Sequence, residues 1–454
     1  MGNRELILQI AQKEIECGCY EAKINGVTLY SLIRDDFRVE LLRRAGFNAM
    51  DNRKKVDVKK VVISSLKSLW QIVLLSISRK KYSTVFFSFP RLDKINGCYL
   101  DKFTDPVIDA SELFRDDYII LDHGTAGVHP TPRIHQDKIV FIDILHIFAK
   151  IKATLLFGLF KRKHKRCFAL FEKSLTKAFG EGSVGNCLFK KLTVDYYYTQ
   201  LLKYLFAHLS AKRVMQPMRN CSSFSAANLL DIKTYEFQHG VTYGETSLYS
   251  GYRDESVMPD FFLAFGDNKP IDVYGIEEER IVNIGWALWD YLKNVNASVK
   301  YKQFDVLFIS EPEITNKIIN IIQLLAEECP ESNFYLRPHP HEIIGQKNLE
   351  IIERYPNVFL QDKSINIMEV MMGFECIVGE NSTVLYEALS MNKKVGKLFM
   401  GDLHPVYLEE SDKESFWEIR NTSDFKVFLQ GNNSSKKHKS VYSQFNKEML
   451  INIL

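Results

Sequence analysis

Proline and glycine are scarce in this chain of 454 residues, with 13 and 23 copies, and no serine- or glutamine-rich tract interrupts it. Long disordered segments need such a composition, so we expect nearly all of the chain to fold. A strong excess of charge is also lacking, because the formal net charge is +3 and the pI is about 8.2. Nucleic-acid-binding domains usually lie above about pI 9, and nucleic acid is therefore not an expected partner.

The eight cysteines lack the spacing of a zinc site or a disulfide framework, since neither a CxxC pair nor a Cys/His ligand pattern occurs. We expect buried free thiols and no metal or other cofactor. The cysteines are Cys17, Cys19, Cys98, Cys167, Cys187, Cys221, Cys329 and Cys376.

A secretory signal is missing as well, because the sequence after Met1 runs directly into an amphipathic pattern, and the expected location is the cytoplasm. Two apolar stretches, 61–77 and 142–160, run into basic sequences at 79–81 and 161–166. The first is short for a membrane span. The second is typical either of a helix on an anionic leaflet or of a buried helix with a solvated basic end. A peripheral contact with the inner face of the cytoplasmic membrane is therefore one of two interpretations.

The last third of the chain alternates apolar strands with amphipathic helices, which indicates a parallel sheet covered on both faces. Predicted strands lie at 305–310, 333–337, 357–360, 375–379 and 394–399, and predicted helices at 315–327, 365–372 and 382–390. Earlier strands are predicted at 84–89, 118–121, 235–238 and 261–265, with a mostly helical insertion at about 130–230. A polar stretch at 293–298 is the best linker. The sequence therefore predicts an α/β protein with two Rossmann-like domains, 1–295 and 296–454, whose strand ends face one cleft.

The first motif, Arg337-Pro338-His339-Pro340, directly follows a predicted strand. The two prolines hold the backbone extended and cannot continue the sheet, so His339 is expected on a rigid turn at the sheet edge. A histidine there can donate to a phosphate oxygen or protonate a leaving group. An ordinary polar loop is the alternative.

The second motif, Asn381-Ser382-Thr383, lies between a predicted strand and a predicted helix. Asn381 or Ser382 would cap the helix, and the free N–H groups of its first turn would attract an anion. The hydroxyls of Ser382 and Thr383 add donors for a phosphate, and Glu387 one turn further could accept from ribose hydroxyls. Such caps are common, but together with His339 in the same sheet the motif predicts a nucleotide-phosphate pocket.

Two further motifs follow strands of the N-terminal domain and carry candidate bases. In the sequence QHG, Gly240 permits a sharp turn and His239 is the candidate. In the sequence DHG, the candidate is Asp122. The alternative for His239 is a histidine that only donates to loop carbonyls, and the alternative for Asp122 is an Asx turn. Neither GxGxxG nor GxxxxGK[ST] occurs, so dinucleotide and P-loop sites are disfavoured.

The sequences DHG at 122–124, HP at 339–340 and ST at 382–383 resemble, in this order, the three motifs of bacterial sialyltransferases and polysialyltransferases. These are metal-independent GT-B glycosyltransferases of surface polysaccharide synthesis, and capsule Kdo transferases are similar around the HP motif. The resemblance implies that Asp122 is the base, that His339 binds the CMP phosphate or stabilises the leaving group, and that the two hydroxyl residues bind phosphate. The histidine of DHG departs from the family, which has a second acidic residue there.

The sequence QHG followed by RPHP and a Ser/Thr motif is also similar to the glycerophosphotransferases of teichoic acid synthesis. In that family the histidine of the His-Gly pair acts as the base. This second resemblance implies that His239, and not Asp122, takes the proton.

These observations predict an inverting, metal-independent glycosyltransferase. Its nucleotide-sugar donor, expected to be a CMP-activated acid such as sialic acid or Kdo, would bind the C-terminal domain through Arg337, His339 and the turn at 381–383. The glycan acceptor, part of a bacterial surface polysaccharide or lipooligosaccharide, would lose its proton to Asp122 or His239. These groups can stabilise the departing phosphate without a metal. The alternatives are transfer of glycerol phosphate from CDP-glycerol and a non-catalytic nucleotide-sugar-binding assembly subunit.

Overall fold

The computed structural model describes residues 3–45, 58–115, 117–124, 127–180, 186–241, 249–266, 276–293, 301–340, 342–407, 410–431 and 442–454. Within this part of the chain, two large parallel sheets and the helices beside them make up the fold. Strands such as Thr84–Phe87 and Val306–Ile309 are buried along their whole length, as in a sheet covered on both faces. The predicted α/β class with two Rossmann-like domains is confirmed.

The N-terminal half contains one large sheet and two short hairpins. Its strands are β1 (Lys23–Ile24), β2 (Val27–Thr28), β3 (Thr84–Phe87), β4 (Asp93–Ile95), β5 (Cys98–Leu100), β6 (Tyr118–Asp122), β7 (Ile139–Phe141), β8 (Arg213–Gln216), β9 (Lys233–Phe237), β10 (Phe261–Ala264) and β11 (Ile281–Asn283). The pairs β1/β2 and β4/β5 are antiparallel. The other seven strands form a parallel sheet in the order β11-β10-β9-β8-β3-β6-β7. Because the order reverses between β3 and β8, a crevice lies at the carboxyl ends of these two strands.

Helices cover this sheet and fill most of the predicted insertion. They are α1 (Asn3–Glu16), α2 (Leu29–Arg44), α3 (Val58–Ile77), α4 (Asp105–Ser111), α5 (Asp143–Lys163), α6 (Lys165–Phe179), α7 (Asn186–Leu209), α8 (Cys221–Asn228) and α9 (Leu288–Leu292). The predicted insertion at about 130–230 contains α5 to α8. It also contains β7 and β8, two strands of the sheet that were not predicted.

The C-terminal half repeats the same winding. Its strands are β12 (Val306–Ile309), β13 (Phe334–Arg337), β14 (Val358–Leu360), β15 (Cys376–Gly379), β16 (Lys394–Leu398) and β17 (Trp417–Ile419). Its helices are α10 (Thr315–Glu328), α11 (Gln346–Arg354), α12 (Ile367–Gly373), α13 (Thr383–Ser390), α14 (Glu410–Ser415) and α15 (Thr422–Gln430). The parallel strands follow the order β14-β13-β12-β15-β16-β17. The reversal between β12 and β15 makes a second crevice at their carboxyl ends.

The end of the chain returns to the N-terminal sheet. Helix α16 (Lys447–Ile451) packs against β11, and the Ser443 N–H donates to the carbonyl of Phe265 at 2.7 Å. The last residues therefore pack with the first sheet, although the sequence predicts 296–454 as one domain. The predicted boundary itself falls within 294–300, outside the described residues.

Candidate functional site

The turn after β15 carries the predicted Ser/Thr motif. Gly379 ends the strand, and a Cβ there would lie 3.2 Å from the carbonyl oxygen of Ile309 in β12, so the two strands that flank the crevice approach closely. Ser382 is the N-cap residue of α13, and its side chain makes no capping hydrogen bond. The first N–H groups of the helix have no acceptor within the helix, so they and the Ser382 hydroxyl can serve an anion.

Asn381, the other predicted cap, is engaged within the protein. Its side-chain oxygen accepts a hydrogen bond from the Val406 N–H at 2.6 Å. The neighbouring Glu380 carboxylate accepts one from the His404 N–H at 2.9 Å. These two bonds fasten the segment after β16 beside the turn, so the Asn381 oxygen shapes the wall of the crevice.

Arg337 ends β13 and is buried, with 7% exposure. Its guanidinium donates to the carbonyls of Asp362 and Ile365, the latter at 2.7 Å. Burial lowers the pKa of the guanidinium, although Asp362 opposes this effect. These contacts favour a role for Arg337 in positioning the loop at 362–365. Its predicted contact with a phosphate stays a prediction.

His339 lies half-buried on the predicted turn after β13. Its backbone N–H donates to the Glu342 carboxylate at 3.0 Å, and the backbone N–H of Glu342 donates to the His339 carbonyl at 2.8 Å. Glu342 is buried and also accepts a hydrogen bond from Thr315 at the start of α10. Because β12 separates β13 from β15, His339 and the Ser382 turn lie about 10 Å apart along the sheet edge.

Two charged residues of the crevice were not predicted. Burial and the charge of Glu380 raise the pKa of Glu311, which follows β12. Its buried Oε1 has no hydrogen-bond partner in the part of the chain that the structure describes. Burial lowers the pKa of Lys397 in β16 to about 8, and its ammonium group lies 4.9 Å from the Tyr386 ring and 4.6 Å from the Phe416 ring. An acidic residue directly after a buried strand and a lysine inside one are the sequence signals for these positions.

On the other side of the cleft, His239 follows β9 and borders the N-terminal crevice. Its ring donates to the carbonyl of Pro217, and its centroid lies 6.2 Å from that of Phe89. Burial, followed by the charges of Arg91 and Lys102, lowers the pKa of His239 to about 4. The imidazole is therefore neutral at pH 7 and can accept a proton, as a general base must.

A chain of polar groups holds His239. The Gln238 side chain donates to the Gly240 carbonyl at 3.0 Å and so braces the turn. The Tyr249 hydroxyl lies 3.3 Å from His239 Nδ1 and 2.7 Å from the Glu236 carboxylate. Burial raises the pKa of Glu236 to about 7. A carboxyl group that titrates near neutral pH is thus connected through Tyr249 to His239.

A cavity of about 690 Å³ lies at the carboxyl ends of β3, β6 and β8 and between α2, α5 and α7. Phe89 and Pro217, which lie near the His239 ring, line it, whereas His239 itself is not one of the lining residues. Its walls carry charge of both signs, including Lys191 and Asp195 at 3.0 Å from each other. Its volume is within the range of small-molecule sites.

The two sides of the site meet across the cleft. A Cβ added at Gly240 would lie 3.9 Å from Thr383 Cγ2, so the His-Gly turn faces the Ser/Thr turn. Lys102 of the N-terminal domain donates to Glu387 of α13 at 2.9 Å. The second oxygen of Glu387, Oε2, is buried and has no hydrogen-bond partner among the described residues. The contact of Glu387 with a ribose hydroxyl stays a prediction, and Lys102 was not predicted.

Asp122 ends β6 inside a buried ion network. One of its oxygens lies 2.5 Å from His129 Nδ1 and the other 3.0 Å from Arg133, while His129 Nε2 lies 2.8 Å from Asp143. Burial would raise the pKa of Asp122, but the hydrogen bond with His129 and the charge of Arg133 lower it. Both oxygens of Asp122 are therefore engaged within the protein, and its role as the base stays a prediction.

The Lys102–Glu387 pair gives a prediction for stability. In Lys102→Met the Glu387 carboxylate loses its cation, and burial already raises the pKa of this group. We expect the free energy of unfolding at pH 7, measured with urea, to fall by about 1–3 kcal/mol. The control is Lys447→Met, whose partner Glu112 is 81% exposed, and which should cost below about 1 kcal/mol. Equal losses in the two variants would contradict a buried cross-cleft pair.

Comparison with known proteins identifies the fold. Neither a family model nor a curated protein sequence matches the chain. A structure assigned as a UDP-N-acetylglucosamine 2-epimerase from Listeria monocytogenes superposes with a TM-score of 0.50 at 10% identity, covering 82% of this chain and 95% of that one. The UDP-GlcNAc 2-epimerase of Methanocaldococcus jannaschii gives a TM-score of 0.49 at 12% identity, covering 82% and 99%. The chain has a GT-B-like fold, the architecture of these nucleotide-sugar enzymes.

The expected transfer of a CMP-activated acidic sugar is wrong, because the structure matched with a TM-score of 0.50 is named for UDP-N-acetylglucosamine. The CDP-glycerol alternative is set aside with it, and the likeness to sialyltransferases and Kdo transferases extends no further than the GT-B-like fold. The error has a physical reason. The HP and Ser/Thr motifs lie where phosphates are expected, and because every nucleotide sugar has a phosphate, these motifs carry no information about the base.

Proposed function

We propose that this protein is an enzyme that acts on a UDP-activated sugar and breaks the bond between the anomeric carbon and the diphosphate. The observation that carries the proposal is the approach of Gly240 to Thr383 across the cleft. The turn that carries His239, whose imidazole is neutral at pH 7, and the start of α13 thus lie on facing sides of the cleft, which supports the proposal. The choice of UDP follows the names of the matched structures.

The C-terminal crevice would hold the nucleotide. Ser382, Thr383 and the first N–H groups of α13 would donate to the diphosphate, with His339 after β13, two strands away in the same sheet. Glu387 Oε2 would accept from a ribose hydroxyl. Stabilising the charge on the departing diphosphate is the largest electrostatic task of such a reaction. These residues supply donors on the side where that charge would develop.

Transfer to an acceptor is the reaction that we favour, because the cavity of about 690 Å³, whose lining includes Phe89 and Pro217 near the His239 ring, offers a glycan acceptor its own site. His239 would remove the proton of an acceptor hydroxyl while that oxygen attacks the anomeric carbon, and UDP would leave with the bonding electron pair. The second candidate is epimerisation at C2 of the sugar. It is favoured by the similarity along 95% of the chain of the Listeria structure.

Nucleotide binding is the first test. UDP should raise the melting temperature of the wild-type protein, since a ligand at 100 times its Kd stabilises the native state by about 2.7 kcal/mol. In Thr383→Val, which keeps the shape of the side chain but removes a phosphate donor, we expect a smaller shift. The control is Thr422→Val, because Thr422 is the first residue of α15 as Thr383 is of α13. A shift with CMP and none with UDP would contradict the proposal.

The two reactions can be separated with UDP-N-acetylglucosamine in deuterated buffer. Transfer, or hydrolysis in the absence of an acceptor, releases UDP in proportion to the sugar consumed. Epimerisation leaves the nucleotide sugar intact and, because the C2–H bond must break, places deuterium at C2. Mass spectrometry and NMR of the same sample report both outcomes.

A further inference from the structure

Helix α3 turns three polar side chains, Ser64, Ser68 and Gln71, toward the protein. Ser68 is fully buried and donates to the carbonyl of Phe141 at 2.7 Å, and the Phe141 N–H donates to Gln71 at 2.8 Å. Ser64 lies 2.9 Å from His129 Nε2. These bonds attach the helix to β7 and to the ion network behind it. The inward side of α3 combines these polar anchors with Leu69, Ile72 and Leu75, which pack in the core beneath it.

The outward face of α3 is mostly apolar, and its exposed polar residues are Lys59, Lys60, Lys67 and Ser76. Large apolar side chains recur every three or four residues, each between 43% and 73% exposed. They are Val58, Val62, Ile63, Leu66, Trp70, Val73, Leu74 and Ile77. Only 17% of the most apolar window of α3 is buried, and among the described residues this is the helix that has the length and composition to cross a membrane. Such a contiguous apolar surface marks a site of contact with a partner or a membrane.

The neighbouring helix α5 extends this surface. It packs against α3 and exposes a second apolar stripe at helical spacing. Its members, Phe148, Ile151, Leu155 and Leu159, are between 43% and 75% exposed. We call the two stripes together the α3–α5 face.

Basic residues surround the α3–α5 face. Between Val58 and Lys81 the sequence has six lysines and arginines and no acidic residue. Between Asp143 and Arg166 it has seven, and the only acidic residue there, Asp143, is bound to His129 inside the protein. An apolar stripe with a basic border matches an anionic bilayer, in which acyl chains lie beneath negatively charged headgroups.

We propose that the α3–α5 face binds the surface of an anionic membrane, with its apolar stripes at the boundary of headgroups and acyl chains. A helix of 20 residues is about 30 Å long and could span a bilayer. The packing of α3 decides against a span, because Ser64, Ser68 and Gln71 would have to leave their partners on β7 and His129. The protein therefore lies on the membrane, and this inference does not depend on the sugar or nucleotide that it uses.

The test is cosedimentation of the full chain with vesicles of phosphatidylcholine alone and of phosphatidylcholine mixed with phosphatidylglycerol. We expect binding to the mixed vesicles, weaker at high salt because the charges are then screened. Leu66→Glu and Leu155→Glu, each at an exposed position, should reduce the partition coefficient about tenfold or more. Val427→Glu, at a 58% exposed position on α15, is the matched control and should bind like the wild type.

Three results would overturn the proposal. The first is equal binding of the Leu66→Glu, Leu155→Glu and wild-type proteins, with circular dichroism showing that all are folded. The second is a wild-type dimer in analytical ultracentrifugation that Leu66→Glu dissociates, without vesicle binding, because the face would then join two copies of the chain. The third is retention in the membrane after an alkaline carbonate wash, since a surface-bound protein is released and a spanning one is not.

Discussion

Replacing His239 by glutamine is expected to lower the rate of UDP release from a UDP-sugar by about 10²–10⁴-fold, the usual contribution of a general base. Glutamine keeps a polar side chain at the turn but cannot accept a proton at neutral pH. The thermal shift with UDP should be retained, because the nucleotide is expected to bind the opposite crevice. His208→Gln, whose side chain bonds the carbonyl of Leu75 outside the site, is the matched control.

The pH dependence gives an independent readout of the same residue. Burial first, and the charge of Arg91 second, lower the pKa of His239 to about 4. kcat/KM should therefore fall as the pH drops through about 4, where the imidazole takes up a proton, and should be unaffected near the value of about 6.5 typical of an exposed histidine. Arg91→Met removes one of the charges that hold the pKa low, so the acid limb should move to higher pH. An acid limb near 6.5 that Arg91→Met leaves in place would argue against His239.

Five of the six strands of the C-terminal sheet, β12 to β16, could be predicted to within one or two residues, whereas β17 was not predicted. The reason for the success is local. Each is a short apolar run bounded by polar or turn residues, as in Val306–Ile309 and Cys376–Gly379, and parallel strands buried on both faces read in this way. In contrast, β7 has three residues and β8 (Arg213–Gln216) begins and ends with a polar side chain. Neither carries enough apolar pattern to be distinguished from the helices around it.

The positions of the motifs could also be predicted, because the carboxyl ends of parallel strands meet at one edge of a sheet. The residues that these motifs contact in the folded protein could not be predicted. Lys102 and Glu387 are 285 residues apart in sequence, and only the docking of two domains brings them to 2.9 Å. Arg337 is a related case. Its neighbours in sequence suggest that it binds a phosphate, whereas in the structure it donates to the carbonyls of Asp362 and Ile365, 25 and 28 residues further along the chain.

Outward apolar residues on α3 show a further limit of sequence patterns. A helical stripe at Leu66 and Trp70 predicts one apolar face, but it does not state whether that face meets the protein or the exterior. The hydrogen bonds of Ser64 and Ser68 with the protein decide the orientation. The periodicity of the sequence therefore predicts that α3 has an apolar stripe. The packing of the opposite face of the helix shows that this stripe points away from the protein.

Asp122→Asn should destabilise the protein by about 3–5 kcal/mol, because it leaves the buried Arg133 without its anion and His129 with Asp143 alone. The sign of the pH dependence follows from the pKa values. That of His129 is raised to about 9, since the hydrogen bonds with Asp122 and Asp143 outweigh burial, so its contribution is complete below about 6.5 and is lost as the pH rises through about 9. The pKa of Asp122 is lowered, so its contribution is present above about 3.9 and is lost as the pH falls further.

Urea unfolding at pH 6 and at pH 9.5 measures this network. The wild type should lose stability between the two pH values, and Asp122→Asn should lose less, because the pKa of His129 falls when one of its carboxylates is removed. The matched variant is Asp143→Asn, which removes the second carboxylate bound to His129 but is not a candidate base. It should show the same smaller loss of stability between the two pH values. At a temperature where both variants are folded, their rates of UDP release should stay within about threefold of the wild type, since neither carboxylate would touch the reacting atoms. A large loss of rate in Asp122→Asn alone, with unchanged unfolding, would instead make Asp122 the base.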